Sequence, residues 1–133
     1  MRRLIFLLTI LAIFSCKSKD NYPKAENALD AGREFIDGFL KGDATKANAY
    51  MLQDDQNKAL LTKLHNELRR SPKDTQEGYK GSSIIIGEVD EVTENEVIIQ
   101  YKSSFDMAPK KVKVVKQNGR WLVDLKYTLN PNM

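Results

Sequence analysis

The chain of 133 residues has very few of the side chains that form disulfides and metal sites. It contains one cysteine, Cys16, and one histidine, His65. A single cysteine excludes an internal disulfide framework, and a zinc site needs three or four protein ligands. His65 has no second histidine or cysteine near it in the sequence. We therefore expect a surface or half-buried helical histidine, no metal site and no cofactor.

An excess of charge and a long apolar run are also missing. The 21 basic and 18 acidic residues give a formal net charge of +3. A nucleic-acid-binding domain needs a strong basic field, so we expect no nucleic acid partner. The apolar run at residues 4–14 is interrupted only by Thr9. It is shorter than the roughly 20 residues that span a bilayer, so we expect no transmembrane helix there.

The beginning of the chain has the three parts of a secretory signal. Arg2 and Arg3 supply the positive charge, residues 4–14 the apolar run, and Ser15 the small residue before Cys16. Two alternatives stay open, an ordinary signal peptide with an incidental cysteine and an uncleaved anchor.

The end of this signal resembles the lipobox of bacterial lipoproteins. Residues 13–16 read Ile-Phe-Ser-Cys, in which only Phe14 departs from the commonest pattern. The resemblance implies that Cys16 carries the lipid, palmitate included, and anchors the protein in the bacterial cell envelope. Two or more acyl chains hold a protein stably at a membrane, whereas one is marginal. The polar tether after Cys16 leaves the inner or outer membrane undecided.

Three parts of the chain are therefore expected. They are a lipoprotein signal peptide at 1–15, the lipidated cysteine and a polar tether at 16–23, and one folded domain at 24–133. Without Arg2 and Arg3 the chain has 19 basic and 18 acidic residues and a formal net charge of +1.

The first half of the domain has helical periodicity. Pro23 suits a first helical turn, Gly42 a helix end, and Asp43 the cap of a second helix at 44–51. The apolar residues of the first helix recur at spacings of three and four, and are Ala25, Ala28, Leu29, Gly32, Phe35, Ile36, Phe39 and Leu40. The inward residues of the second helix are expected to be Ala47, Tyr50 and Met51.

A third helix is predicted at 56–70. Asp54 or Asp55 caps it, and Pro72 ends it. Capping explains this acidic pair better than calcium, which needs further oxygen ligands. The predicted buried stripe is Ala59, Leu60, Leu61, Leu64 and Leu68. Residues 72–81 are polar and predict a loop.

In the second half the apolar period changes to two, which predicts strands at 82–92 and 97–105. Glu94 and Asn95 form the turn between them. One face of the second strand carries Val97, Ile99, Tyr101 and Phe105. The register of the first strand stays open between two alternatives: a three-residue loop buries Ile85 and Val89, and a two- or four-residue loop buries Ile84 and Ile86.

The last hairpin is specified by Asn118-Gly119, the strongest short-range signal for a two-residue type I′ turn. The predicted apolar-face pairs are Lys116 with Trp121, Val114 with Val123, Val112 with Leu125, and Lys110 with Tyr127. The predicted pairs of the other face are Gln117 with Arg120, Val115 with Leu122, Lys113 with Asp124 as an ion pair, and Lys111 with Lys126. The many lysines of this hairpin favour protection of a sheet edge over a surface that binds anionic lipid or glycan.

Helices followed by a four-stranded antiparallel meander predict an α+β fold. Residues 31–47, with Gly42, Asp43 and Ala47, resemble the opening of nuclear-transport-factor-2-like domains, and residues 118–125 resemble their last hairpin. The nearest resemblance is to lipoprotein domains of unknown function in that superfamily. It implies a cystatin-like fold in which N-terminal helices pack on a curved sheet around a cone-shaped cavity. The pocket residues that we expect are Phe35, Phe39, Tyr50, Tyr101, Trp121 and Tyr127.

The superfamily includes isomerases and polyketide cyclases, which use a carboxylate in the cavity with a tyrosine or acid donor. In this chain no acidic residue falls on the inward faces of the best-defined strands, and Asp124 is expected to face solvent. We therefore expect no catalytic residues and a non-enzymatic domain that binds a small apolar ligand or an envelope protein. The alternative is a polyketide-cyclase-like or isomerase-like enzyme that uses the cavity.

Overall fold

The computed structural model describes residues 22–129, so Cys16 and the predicted signal peptide lie outside the described residues. Four helices precede a four-stranded antiparallel sheet of order β1-β2-β3-β4, which confirms the predicted α+β class and meander. A short helix follows the sheet. The elements are α1 (Ala28–Leu40), α2 (Ala44–Ala49), α3 (Asp55–Arg70), α4 (Lys73–Lys80), β1 (Ile84–Thr93), β2 (Glu96–Ser103), β3 (Lys110–Gln117), β4 (Arg120–Asp124) and α5 (Leu125–Leu129).

Capping side chains set the ends of the first two helices. The Asn27 side chain accepts a hydrogen bond from the Asp30 N–H at 2.8 Å, so α1 begins at Ala28. The prediction that Pro23 lies in its first turn is wrong, because the better cap comes later in the chain. Gly42 follows α1 at φ 71°, and Asp43 caps α2, both as predicted.

The chain after α2 covers one edge of the sheet. The Leu52 N–H donates to the Val123 carbonyl at 2.9 Å, and the Val123 N–H donates to the Tyr50 carbonyl at 2.8 Å. Residues 50–52 therefore occupy the outer edge of β4. Tyr50 and Met51 are buried as predicted, but the predicted helix at 44–51 ends at Ala49 because these residues pair with β4. The lysine-rich strand β3 pairs on both sides, so the interpretation that its lysines protect a sheet edge is wrong.

Helix α3 is only partly buried. Asp54 is its cap, one of the two predicted. Leu61 is buried together with Asn57, whereas the other leucines of the predicted stripe are half-buried. Ala59 is exposed, which contradicts the prediction, because α3 has solvent on most of its circumference.

Residues 73–80 form helix α4, so the prediction of a loop at 72–81 is wrong. None of its residues is buried, and its sequence therefore lacks the apolar period from which the other helices were predicted. Its ends nevertheless have ordinary helix signals, with Pro72 at the N-cap, Asp74 in the first turn, Lys80 in the last turn and Gly81 at the C-cap.

Of the two predicted registers, the one that turns Ile84 and Ile86 inward is confirmed at the start of β1, whereas the predicted burial of Ile85 and Val89 is wrong, since they are 36% and 43% exposed. Glu94 and Asn95 form a two-residue loop between Thr93 and Glu96, and Ile86 pairs with Tyr101. Between Ile86 and Val89 the register shifts by one residue, so Val89 pairs with Ile99.

The partly buried residues of this face are Ile84 and Ile86. Val89 shares the face of Ile99 but stays 43% exposed. Phe105 is 46% exposed, contrary to the prediction, because β2 ends at Ser103 and Phe105 lies in the loop that follows.

The β3–β4 hairpin has the predicted turn, with positive φ at Asn118 (51°) and Gly119 (75°). All five pairs from Gln117–Arg120 to Lys113–Asp124 form as predicted. β4 then ends at Asp124 and the chain turns into α5. The predicted pairs beyond that point are therefore wrong: Val112 with Leu125, Lys110 with Tyr127, and Lys111 with Lys126.

The predicted Lys113–Asp124 ion pair is also wrong. The Lys113 ammonium lies 3.5 Å from the Glu96 carboxylate on the neighbouring strand. Asp124 instead lies 3.6 Å from Lys126 and accepts from Asn57, so it is half-buried against α3.

The core lies between α1 and the inner face of the sheet. Its fully buried sheet residues are Ile99, Val112, Val114 and Val123. Gly32 allows the close approach of α1, because a Cβ at this position would lie 2.7 Å from Ile99 Cδ1. The sheet thus has one face covered by helices.

Candidate functional site: an apolar cavity at one end of the core

An apolar cavity of about 370 Å³ lies between helices α1, α3, α4 and α5 and strands β2 and β3. Its volume falls within the range of roughly 300–1,000 Å³ that is usual for small-molecule sites. The lining residues are Phe35, Phe39, Leu40, Leu64, Glu67, Leu68, Tyr79, Tyr101, Lys110, Val112, Leu125 and Thr128.

On the sheet, α1 packs mainly against β3 and β4 and less against β1 and β2. Phe39 and Leu40 form the last turn of α1, and Tyr101 pairs with Lys110 across β2 and β3. The cavity is bounded from the other sides by α3, α4 and α5. Two of these three helices were absent from the sequence prediction, which is why the shape of the cavity could not be anticipated.

Tyr101 brings a hydroxyl into the cavity. Burial raises the pKa of Tyr101 to about 12, and the negative charge of Asp106 adds to the effect. The phenol is therefore neutral at physiological pH and available as a hydrogen-bond donor. No residue within 22–129 hydrogen bonds to it.

Thr128, from α5, also lines the cavity. Its Oγ1 is buried and has no hydrogen-bond partner among the described residues. Buried polar atoms in folded proteins almost always have a partner, so an orphan of this kind requires an explanation.

A polar cluster forms the rim. The Tyr79 hydroxyl donates to Asp106 Oδ2 at 2.7 Å, and the Lys110 ammonium lies 3.5 Å from the same oxygen. Burial alone would raise the pKa of Asp106, but hydrogen bonds from the Ala108 N–H and Tyr79, with the charge of Lys110, outweigh it and lower the pKa. Asp106 is thus ionised and fixes Tyr79 at the mouth. Glu67, from α3, is the other acidic group here and is exposed.

Three of the residues expected in the pocket, Phe35, Phe39 and Tyr101, line this cavity. Tyr50 instead belongs to the core. Its hydroxyl donates to the Pro23 carbonyl at 2.7 Å, and its ring packs edge-on against Tyr22 at 6.2 Å. Tyr50 therefore holds the incoming chain rather than a ligand.

The two other expected pocket residues, Trp121 and Tyr127, also lie elsewhere. Trp121 borders a separate cleft beside Leu29, and the Lys116 ammonium is 5.8 Å from its ring centroid. The Tyr127 ring lies 5.6 Å from the Lys113 ammonium, because α5 turns this residue away from the inner face that an extended β4 would have given it.

The sequence prediction missed Leu64, Tyr79 and Thr128 as cavity residues. Tyr79 was missed because α4 was predicted as a loop, and Thr128 because β4 was extended too far. The helix signals around α4 could have identified Tyr79. No local signal marks Thr128, since the end of β4 depends on contacts with α3.

The remaining candidate chemistry gives no site. Within residues 22–129, no three His, Cys, Asp or Glu side chains are placed to hold a metal ion. His65 is half-buried on α3 and borders two clefts outside the apolar cavity. The helices of the described region include none long and apolar enough to cross a membrane. No family model, curated protein or solved structure matches this chain.

Proposed function

We propose that this chain is a lipid-anchored binding domain of the bacterial cell envelope, which holds a small, largely apolar molecule in the cavity. The observation that carries the proposal is the cavity itself. It is lined mainly by apolar side chains and has a few polar groups, the composition typical of small-molecule sites.

The anchor is the second part of the proposal. It rests on the apolar run, the small Ser15 and Cys16, which together resemble a lipobox. A lipid on Cys16 would hold the domain at a membrane surface without a membrane-spanning helix.

An envelope protein as the partner is the other form of binding that the sequence allows. The exposed side chains of Phe105 and Met107 favour it, since both lie in the β2–β3 loop. We prefer the small molecule because the cavity offers a concave apolar surface. Phe105 and Met107 offer only two exposed apolar side chains on one loop.

A neutral fluorescent probe, N-phenyl-1-naphthylamine, tests the ligand proposal. We expect saturable fluorescence enhancement with the wild-type protein. Leu64→Trp places a larger ring in the cavity, and we expect it to weaken binding about tenfold or more, since filling a pocket removes the space that the ligand occupies.

The matched control is Leu60→Trp, one turn earlier on the same helix, where the side chain packs against the core outside the cavity. It should bind the probe like the wild type, and both variants should show one cooperative thermal transition. An absence of saturable binding by the wild type, or equal binding by the Leu64→Trp variant, contradicts the cavity as a ligand site.

An isomerase-like or cyclase-like enzyme is the second candidate. The observation in its favour is a neutral Tyr101 donor in a cavity with the Glu67 carboxylate at its rim. Such an enzyme would exchange the protons next to the carbonyl of a bound ketone. NMR of 2-acetylnaphthalene in D₂O separates the two candidates by the rate at which the methyl protons of the ketone exchange for deuterium. An enzyme makes this exchange faster than it is in buffer alone, and the Glu67→Gln variant loses the acceleration. A binding domain leaves the exchange rate as it is in buffer.

A further inference from the structure

We propose that helix α4 is the gate of the cavity. A ligand enters and leaves when α4 moves away from the β2–β3 loop at residues 104–109, and the contact of Tyr79 with Asp106 holds the gate closed. The inference rests on the proposed function of the cavity as a ligand site. It adds the route by which the ligand exchanges with solvent and the residues that control the rate of this exchange.

The first observation is that α4 is held loosely by the rest of the fold. None of its residues is buried, whereas α1 is buried along one face. Tyr79 is the one aromatic or aliphatic side chain of α4, and it packs against the edge of the core. Segments with few buried apolar contacts open locally at a lower free energy than global unfolding. We therefore expect α4 to open while the remaining domain stays folded.

The second observation is that α4 borders two spaces that side chains do not fill. Tyr79 lines the apolar cavity. Gln76 and Lys80 line a separate cleft of about 370 Å³ between α1, α3 and α4. Leu40 and Leu68 border both spaces. A helix with space on two sides has room to move, in contrast to one that is close-packed against its neighbours.

The contact between α4 and the loop is concentrated on Tyr79. Its hydroxyl donates to Asp106 Oδ2 at 2.7 Å, and its ring packs edge-on against Phe105 with the centroids 4.9 Å apart. The Lys110 ammonium lies 5.5 Å from the centroid of the Tyr79 ring. Gly78 allows this approach, because a Cβ at this position would collide with the Phe105 ring. One residue of α4 thus makes the contact that closes the mouth of the cavity.

The loop that accepts this contact is fixed by its own hydrogen bonds. Asp106 Oδ1 accepts from the Ala108 N–H at 3.0 Å, and the Met107 N–H donates to the Ser103 carbonyl at 2.8 Å. Asp106 is therefore held in place from its own side of the contact. We expect the helix, and not the loop, to move.

The first half of α4 has a separate attachment to α3. The Gln76 side-chain amide donates to the Arg69 carbonyl at 3.1 Å and to the Ser71 carbonyl at 2.8 Å. These bonds hold the beginning of α4 against the end of α3. The second half, which carries Tyr79, is therefore the part that we expect to swing away from the mouth.

Amide hydrogen exchange of the protein without ligand tests the opening of α4. The amides of residues 77–80 should exchange at a rate that low urea concentrations do not change, whereas the Ile36 amide in α1 should exchange only by global unfolding. Tyr79→Phe keeps the ring but removes the hydrogen bond to Asp106, so it should speed exchange at 77–80 about threefold to tenfold. Tyr127→Phe removes a hydroxyl outside the cavity and should leave exchange at 77–80 unchanged.

Stopped-flow fluorescence of N-phenyl-1-naphthylamine tests whether this opening admits a ligand. The association and dissociation rates of a gated site both rise with the fraction of molecules that are open, so their ratio stays the same. Tyr79→Phe should therefore speed both rates about threefold to tenfold and leave the Kd within about twofold. A residue that only contacts the ligand would change the dissociation rate and the Kd together. Tyr127→Phe is again the control and should change neither rate.

The outcomes separate the gate from the proposed function. If the wild-type protein does not bind the probe, the proposed function fails and the gate fails with it. If the probe binds but Tyr79→Phe leaves both rates unchanged, or changes only dissociation, the ligand site stands and the gate is wrong. Exchange of residues 77–80 only by global unfolding also overturns the gate.

Discussion

Asn57 is buried at the point where α3 meets the end of β4. Its side chain is 0% exposed, and its Nδ2 donates to Asp54 at 2.8 Å and to Asp124 at 3.2 Å. Its Oδ1 accepts from the Lys126 N–H at 3.1 Å. One amide thus joins the helix cap, the last residue of the strand and the first turn of α5.

The charges around Asn57 belong to the same network. The backbone N–H of Asn57 is the largest cause that lowers the pKa of Asp54, although burial acts against it, and the Lys126 ammonium at 3.0 Å adds to the lowering. Asp54 is therefore ionised over the physiological range and accepts hydrogen bonds from both Asn57 and Lys126.

We predict that Asn57→Ala lowers the free energy of unfolding by about 2–3 kcal/mol, because it removes the hydrogen bonds by which one buried amide joins three elements. Urea unfolding measures this. The control is Asn66→Ala on the same helix, where we expect a change within about 0.5 kcal/mol. Equal effects of the two substitutions would show that the network around Asn57 contributes nothing specific.

Sequence reasoning identified part of this residue-scale picture. The cap at Asp54 and the turn at Asn118-Gly119 were predicted, because each depends on a few neighbouring residues. The role of Asn57 was not, since it depends on partners about seventy positions later in the chain.

At the scale of elements, the contact of α1 with α2 depends on a glycine. A Cβ on Gly38 would lie 2.8 Å from the Ala47 backbone nitrogen and 3.2 Å from the Asp43 carbonyl oxygen. Backbone atoms in a capped helix cannot move aside as a flexible side chain can. Gly38 therefore sets how closely the two helices pack.

We predict that Gly38→Ala lowers the free energy of unfolding by about 1–3 kcal/mol, the usual effect of overpacking. The matched control is Gly81→Ala at the end of α4, where φ is −87° and the nearest atom is an ordinary 3.4 Å away. This control should be neutral or slightly stabilising. Chemical denaturation compares them, and an unaffected Gly38→Ala protein contradicts the account of the helix contact.

Elements with a buried apolar face were predicted well, and the others were not. The periodicity of α1 and the alternation of β2 and β3 come from burial, so the sequence carries them. Helix α4 has no buried residue and was missed. The end of β4 was misplaced because the apolar alternation continues to Leu125 while the Asn57 contacts turn the chain.

At the scale of the whole molecule, the change of apolar period from helical to alternating was enough to predict the α+β class and the meander. It was not enough to predict the cavity, because helices α4 and α5 form two of its walls. Phe35 and Phe39 were identified from the helical spacing of α1 and Tyr101 from the alternation of β2, whereas the position of Thr128 at the cavity depends on the turn into α5.

The anchor gives a prediction at this scale. Expressed in a bacterium with labelled palmitate, the wild-type protein should carry label and fractionate with membranes, because its Cys16 is the lipidation site that we propose. Cys16→Ala should lose the label and leave the lipid-labelled membrane fraction, whereas Ser18→Ala in the tether should behave like the wild type. Label that persists in the Cys16→Ala protein contradicts the anchor.

The most direct test of the central claim, that the cavity is a ligand site, is an NMR titration of the isotope-labelled domain with 2-acetylnaphthalene. We predict saturable changes in amide chemical shift that cluster on the cavity residues Phe39, Leu64, Tyr101 and Thr128. The absence of saturable changes, or changes that cluster instead at the exposed loop of Phe105 and Met107, would contradict it.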